Sequence, residues 1–472
     1  MPLSLLAPTP RAWLARQAYA LLLRLGTPAY LWRVWARGRE EPAYRADWPA
    51  RLGLYGADAR AVWARRASAP SGERVIWVHA VSLGEARAAA PLIQALRAQC
   101  PGMRLLLTHT TATGREAGKA LLSVEHRDVQ TWLPYDTPGA VRRFLRQYQP
   151  QVGVLMETEV WPVLQHEAAR AGVPMVLANA RLSDKSLKQG LRFKALLQPA
   201  ARALSAVLAQ THDDARRVLA LIESDAMARG NAPQVEVMGN VKFDMRPDPA
   251  LLALGQRWRA ALSEGEQGAT EARPLVLAAS TREGEELRLL SAWSEALSVQ
   301  AWHGSPKPRL FIVPRHPQRF DEVAELVNAQ GLSLSRRSAW LGAQPDAAAL
   351  SADVWLGDSM GEMPAYFASA QVALLGGSFA PLGGQNLIEA AACGCPIVMG
   401  PSTFNFAEAA ELSEAAGAAR RVPDMAAGVA AALQSLHDGQ GLHRSGVCLA
   451  FARAHQGAAA RMAGVILGLC KA

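Results

Sequence analysis

From residue 74 onward the chain alternates short apolar runs, each about the length of a buried strand, with alanine-rich stretches of helical spacing. No other feature restricts the fold as much. Runs apolar on both faces and separated by helices are the pattern of parallel sheets with helices wound on either side. Residues 74–80, 105–108, 151–156, 175–178 and 235–238 read as strands in the first half of the chain, and 275–279, 310–313, 352–356 and 373–375 in the second. Most of these runs stop at polar residues: Ser82-Leu83-Gly84-Glu85, His109-Thr110-Thr111, Glu157-Thr158-Glu159, Asn179-Ala180-Arg181, Thr281-Arg282-Glu283-Gly284-Glu285, Arg315-His316 and Asp358-Ser359. Loops at the carboxyl ends of a parallel sheet are where such folds build their sites, so these clusters are the first candidates for chemistry.

A chain of 472 residues is long for one core, and two α/β domains are expected. Pro247 and Pro249, just after Gly239-Asn240-Val241-Lys242-Phe243-Asp244, mark the seam, with a first domain ending at 247 and a second running over 248–472. Residues 263–272 and 300–308 read as surface insertions. The formal charge of +9 calls for an anionic partner, either nucleic acid, an acidic membrane surface or a phosphorylated substrate. The basic residues are not interleaved with aromatics in a nucleic-acid motif, so no nucleic acid is expected. Five cysteines with no CxxC spacing suit a reducing compartment, and the scattered histidines imply no metal.

The stretch Ala373-Leu374-Leu375-Gly376-Gly377-Ser378-Phe379, followed by a turn at 381–385 and a helix opening at Asn386, reads as strand, glycine turn and helix N-terminus. Bare backbone and unpaired helical N–H groups there fit a nucleotide phosphate. Glu389, in the first turn, would repel a phosphate and is better matched to ribose hydroxyls. An ordinary buried turn, with Glu389 complementing the helix dipole, is the alternative.

Residues 17–35 are apolar and aromatic but carry Arg24, Pro28 and Arg33, whereas a membrane span needs about twenty unbroken apolar residues. They read as an interfacial anchor, with Trp13, Trp32 and Trp35 at the membrane boundary, or else as a core helix of the first domain. A second basic stretch, 181–194, places Lys185, Lys188 and Arg192 at helical spacing, to meet anionic groups at a membrane or to form a solvated face.

Taken in order, Ser82-Leu83-Gly84-Glu85, Met156-Glu157-Thr158-Glu159-Val160-Trp161-Pro162, Gly239-Asn240-Val241-Lys242-Phe243-Asp244, Pro314-Arg315-His316-Pro317, Met360-Gly361-Glu362 and Gly384-Gln385-Asn386-Leu387-Ile388-Glu389 resemble the motifs of the 3-deoxy-D-manno-octulosonic acid (Kdo) transferases. The resemblance covers nearly the whole chain. It implies an α/β enzyme of the GT-B glycosyltransferase type, with two Rossmann-like domains facing across a cleft. Residues 1–45 would anchor it to the membrane, 46–247 would form the acceptor domain and 248–472 the CMP-sugar domain. The implied reaction moves Kdo from CMP-Kdo to a lipid A precursor, lipid IVA, in lipopolysaccharide inner-core synthesis. It inverts the anomeric centre and uses neither metal nor cofactor, at the cytoplasmic side of the inner membrane.

The resemblance assigns Glu85 as the base, Glu157 as the residue stabilising the transition state and Lys242 as the balance for negative charge on the donor. Arg315, His316, Met360, Gly361, Glu362, Asn386, Leu387, Ile388 and Glu389 would line the nucleotide pocket. Read from the residues alone, Ser82-x-x-Glu85 also fits a capping box, with Glu85 bonding back to the Ser82 N–H. Lys242 also fits a solvated surface lysine. Arg282 stands where the family often carries histidine, which weakens any role drawn for that loop. The rivals are a GT-B-shaped UDP-sugar transferase or 2-epimerase, and a non-catalytic basic protein of the membrane surface.

Overall fold

The computed structural model describes residues 9–56, 63, 74–222, 233–264, 273–299 and 306–470. Much of the two stretches read as insertions, 265–272 and 300–305, lies outside them, as do residues 1–8 of the N-terminal segment. Packing divides the chain into two units, one of Met1–Met245 with Gln456–Ala472, the other of Arg246–His455.

Unit 1 holds β1 (Arg74–His79), β2 (Met103–His109), β3 (Val129–Trp132), β4 (Val152–Met156), β5 (Met175–Ala180), β6 (Ala206–Ala209) and β7 (Gln234–Val237) in one parallel sheet of order β3-β2-β1-β4-β5-β6-β7. Unit 2 holds β8 (Leu275–Thr281), β9 (Arg309–Pro314), β10 (Leu334–Arg336), β11 (Val354–Leu356), β12 (Val372–Leu375), β13 (Ile397–Met399) and β14 (Ala419–Arg421), also all parallel, in the order β10-β11-β9-β8-β12-β13-β14. The winding reverses between β1 and β4 in unit 1 and between β8 and β12 in unit 2. At such switch points neighbouring crossovers leave in opposite directions, and a crevice opens beyond the strand ends. β2, β4 and β5 are buried along their whole length, as expected of strands covered by helices on both faces.

Strands β3, β6, β10, β13 and β14 have no counterpart among the runs read from the sequence. β6 is Ala-Val-Leu-Ala, which a helix accommodates equally well, while β10 and β14 are three-residue edge strands ending in arginine.

The expected extent of the second domain, 248–472, differs from the packing at its far end. The last helix, Ala458–Leu469, lies against the helix Leu83–Gln99 of unit 1 and adds Met462, Ala463 and Ile466 to that core. Burial of Met462 and Ile466 stabilises the attachment by about 1.5–3 kcal/mol each. The Asp244 carboxylate accepts the N–H groups of Gly457 and, at 2.7 Å, Ala459, so a residue at the unit's other end caps the returning helix. Nothing local in an alanine-rich helix says which sheet it will cover.

The N-terminal segment is one helix, Pro10–Arg37, running through Pro28. It rests on unit 1 by a narrow face: Ala20 joins the core, Arg16 Nη1 meets His166 Nδ1 at 3.0 Å, and the Tyr19 hydroxyl bonds to the buried Asp136 carboxylate. Its other face leaves Leu22, Leu25 and Trp32 68%, 70% and 75% exposed, with Leu14, Leu21 and Trp35 also open. Among the described residues no helix is long and apolar enough to cross a membrane.

Candidate active site

The loops after β1 and β4 meet at the switch point of unit 1. After β1, Ser82 adopts extended backbone and caps the helix Leu83–Gln99, its hydroxyl accepting the Glu85 N–H at 3.4 Å. Glu85 Oε2 in turn accepts the Val81 N–H at 2.8 Å, and the Ser82 hydroxyl reaches Oε1 at 3.4 Å. The capping-box alternative is therefore realised one residue upstream of the position expected for it. Capping does not use up the group, because a carboxylate offers about four acceptor sites. Burial pushes the Glu85 pKa up to about 7. The charges of Glu159 and Glu157 act in the same direction, and the bonds from Val81 and Ser82 oppose them. A carboxyl poised near neutrality is suited to taking a proton.

Across the switch point, Glu157 leaves β4 with a φ of 59°, its N–H bonded to the Ala178 carbonyl and its own carbonyl accepting the Arg181 N–H. Its Oε1 lies 3.3 Å from Lys242 Nζ, so Lys242 is a paired residue rather than a solvated one. Glu159 accepts the indole N–H of Trp161 at 2.6 Å, and burial raises its pKa. His79 Nε2 stands 3.9 Å from Glu159 Oε2. Full burial drives the His79 pKa down to about 3, so the ring is neutral and contributes no charge near neutral pH. A cavity of about 640 Å³ lined by Arg142, Arg146, Glu167 and Arg170 opens instead toward Pro150 and Gln151, ahead of β4. Arg146 and Arg170 close the last turns of two helices there, at the opposite end of the strands from the candidate residues.

In unit 2 the candidate residues stand at the carboxyl ends of β8, β9, β11 and β12. Gly376 is required, because a Cβ there would lie 2.3 Å from the Ser280 carbonyl oxygen, and Gly377 has a φ of 69°. The turn is tied to β8 by Glu285. This side chain is fully buried and accepts N–H bonds from Arg282 at 2.9 Å, Gly377 at 2.7 Å and Phe379 at 3.1 Å. Sequence reading placed Glu285 in a polar strand-end cluster but gave it no role, although a glutamate opening a helix soon after a strand was a visible signal.

The helix after the glycine turn, Leu387–Ala392, has Asn386 as its N-cap and only six residues, so its dipole is short. Leu387 and Ile388 bury their side chains in the core and can offer a ligand only backbone. Asn386 Oδ1 is buried with no hydrogen-bond partner among the described residues, and Glu389 sits half-buried in the first turn. Arg315 follows β9, its N–H on the Thr281 carbonyl. Next to it His316 lies in the fields of Arg282, Arg315 and Arg319, which add to desolvation in lowering its pKa. Arg319 is matched by Glu286 and Glu322, whereas Arg282 adds positive charge at the turn. Met360 is exposed and Gly361 has a φ of 86°. Glu362 is engaged with Arg337 at 2.7 Å and with the Ser359 hydroxyl.

Two all-parallel, doubly wound units are a GT-B-like α/β architecture. A glycosyltransferase from Rickettsia africae superposes with a TM-score of 0.54 at 10% identity, covering 85% of this chain and 99% of that one. A UDP-GlcNAc 2-epimerase from Neisseria meningitidis gives 0.51 at 16% identity over 84% and 99%, so the fold alone does not separate the two enzyme classes. Sequence kinship does. Residues 46–245 match the family model described as 3-deoxy-D-manno-octulosonic-acid transferase (kdotransferase). The chain is 44% identical to the 3-deoxy-D-manno-octulosonic acid transferase of Bordetella pertussis over 95% of its own length and 98% of the relative's. With that of Haemophilus influenzae the identity is 33%, over 83% of each. The chain belongs to the Kdo transferase family and is a glycosyltransferase.

Proposed function

We propose that the protein transfers Kdo from CMP-Kdo to a hydroxyl of the lipid A precursor lipid IVA, with inversion, at the cytoplasmic face of the inner membrane. The observation that carries this reading is the Glu85 carboxyl, poised near pH 7 across the switch point from the Glu157–Lys242 pair. Glu85 takes the acceptor's hydroxyl proton as the oxygen bonds to the anomeric carbon. The bond from that carbon to the CMP phosphate breaks, and its electrons leave on the phosphate. Glu157 faces the positive charge developing at the anomeric centre, and Lys242 balances negative charge on the donor. In unit 2, Arg315 and His316 hold the phosphate, Arg315 by its permanently charged fork. The segments Met360–Gly361–Glu362 and Asn386–Leu387–Ile388–Glu389 complete the CMP pocket, largely by backbone, with Glu389 on the ribose. Purified protein should release CMP from CMP-Kdo only when the lipid acceptor is present, and UDP-sugars should not replace the donor.

Arg315→Ala is expected to weaken CMP binding and lower kcat/KM for the donor by roughly a hundredfold, in line with loss of a charge-assisted contact to a departing phosphate. Glu389→Ala should mainly raise the donor concentration required. Titration of both substrates against both variants checks this assignment, and a change confined to the acceptor would contradict it.

Access to a lipid acceptor is supported by the apolar stripe that the N-terminal helix leaves open, Leu14, Leu21, Leu25 and Trp32. The helix Asp184–Arg192 adds exposed Lys185, Lys188 and Arg192 beside exposed Leu191 and Phe193. Both helices pack on the helix Lys194–Arg202. Neutralising Lys185, Lys188 and Arg192 together should reduce activity on anionic vesicles carrying the acceptor several-fold, and added salt should mimic that loss. CMP affinity should not move. Unchanged vesicle binding in the triple variant would leave the N-terminal helix as the membrane contact.

A further inference from the structure

At the carboxyl ends of four consecutive strands, β4, β5, β6 and β7, polar contacts run in a ring through Asn179, Gln210, Asn240 and the Val241–Lys242 backbone, and Lys242 carries the ring to Glu157. Glu157 follows β4, Asn179 lies near the end of β5, Gln210 follows β6 and Asn240 follows β7. Asn179 Oδ1 accepts the Val241 N–H at 3.1 Å. Gln210 Nε2 donates to the Asn179 carbonyl at 3.0 Å, and Gln210 Oε1 accepts from Asn240 Nδ2 at 3.1 Å. Asn240 Oδ1 accepts the Lys242 N–H at 3.0 Å, and the Lys242 ammonium reaches out of the ring to Glu157 at 3.3 Å. The partners fix which end of each amide is oxygen: Val241 and Lys242 supply N–H donors, and the Asn179 carbonyl must receive one.

Asn179 is fully buried with a φ of 54°, a conformation that asparagine tolerates better than bulkier residues, and Gln210 is 6% exposed. Lys242 itself belongs to a four-residue 3-10 turn, Val241–Asp244, too short to hold its own geometry. The ring supplies acceptors for two of that turn's N–H groups. Neutral amides suit the task, because a carboxylate at 179 or 210 would set a second anion near Glu157 to compete for the ammonium.

We propose that Asn179, Gln210 and Asn240 are positioning residues that fix Lys242 against Glu157. The inference rests on the catalytic roles given to that pair above. The test is a double-mutant cycle between Gln210→Leu, which keeps the volume and opens the ring, and Lys242→Ala, read out together with amide hydrogen exchange. In the otherwise native enzyme Gln210→Leu should lower kcat by roughly tenfold, since small displacements of reacting groups are costly. KM for CMP-Kdo should stay near its normal value, and exchange at Val241 and Lys242 should accelerate. On the Lys242→Ala background the same change should cost nothing further. Equal losses on both backgrounds, or unaltered exchange at Val241 and Lys242, overturn the proposal. Full activity in Lys242→Ala with accelerated exchange in Gln210→Leu supports the ring and removes the catalytic role of the lysine. If Gln210→Leu does not fold, Asn240→Ala serves in its place, since it removes the donor to Gln210 and the acceptor for the Lys242 N–H without adding a charge.

Discussion

Glu85→Gln is expected to lower turnover by about a thousandfold, within the range typical of a lost general base, while CMP binding holds and the variant still folds. The amide keeps the size of the carboxylate and one oxygen to accept the Val81 N–H, so the helix start survives and only the proton acceptor is lost. Wild-type kcat should fall as pH drops through about 7, where burial has placed the Glu85 pKa, and the residual rate of Glu85→Gln should lack that limb. Stability gives an independent reading of the same group. Its folded pKa lies above the ordinary 4.5, so the stability it confers is full below that pH and lost as pH rises through about 7. Above pH 7 the glutamine variant should therefore gain in melting temperature relative to wild type, and below 4.5 the gain should vanish. Near-normal turnover in a folded variant would leave Glu85 as a helix cap alone.

Glu285→Ala should have the largest effect on stability. Its buried carboxylate is the acceptor for the N–H groups of Arg282, Gly377 and Phe379, and truncation leaves those groups without it in the interior. An orphaned buried donor costs about 1–3 kcal/mol, so the loss is on the order of 3 kcal/mol or more. For a unit of this size that lowers the unit 2 transition by roughly 6–12 °C. The glycine turn should loosen as the tie between β8 and β12 is cut, and CMP affinity should drop with it. Calorimetry combined with CMP titration reads both effects. A variant that melts like wild type and binds CMP normally would show that the turn holds without this side chain.

The residues that could be read from the sequence and those that could not differ in a physical way. β1, β4, β8 and β12 were legible because strands covered on both faces are continuously apolar, and the polar residues that end them stand out against that background. Glu85, Glu157 and Arg315 fall at those ends. Lys242 could be named only through family resemblance, since what distinguishes it from a surface lysine is a contact with Glu157, far away in the chain. The contacts that join Asn179, Gln210 and Asn240 were hidden for the same reason: each is an ordinary polar residue at a strand end until the strand ends are set side by side. Glu285 was set aside with its loop because Arg282 departs from the family pattern, yet that loop anchors the glycine turn. The returning helix Ala458–Leu469 was assigned by chain order, whereas its partner is chosen by buried surface and by Asp244.

On the proposed reading, this Kdo transferase family member acts on a lipid A precursor through a glutamate base. The most direct measurement is the mass of the lipid product after incubating the purified protein with CMP-Kdo and lipid IVA, run in parallel with Glu85→Gln. Addition of whole Kdo units to the lipid by the native protein, with stoichiometric release of CMP and almost none by the variant, is the predicted result. An unmodified lipid in the presence of folded, CMP-binding protein, or equal product from Glu85→Gln, would contradict it.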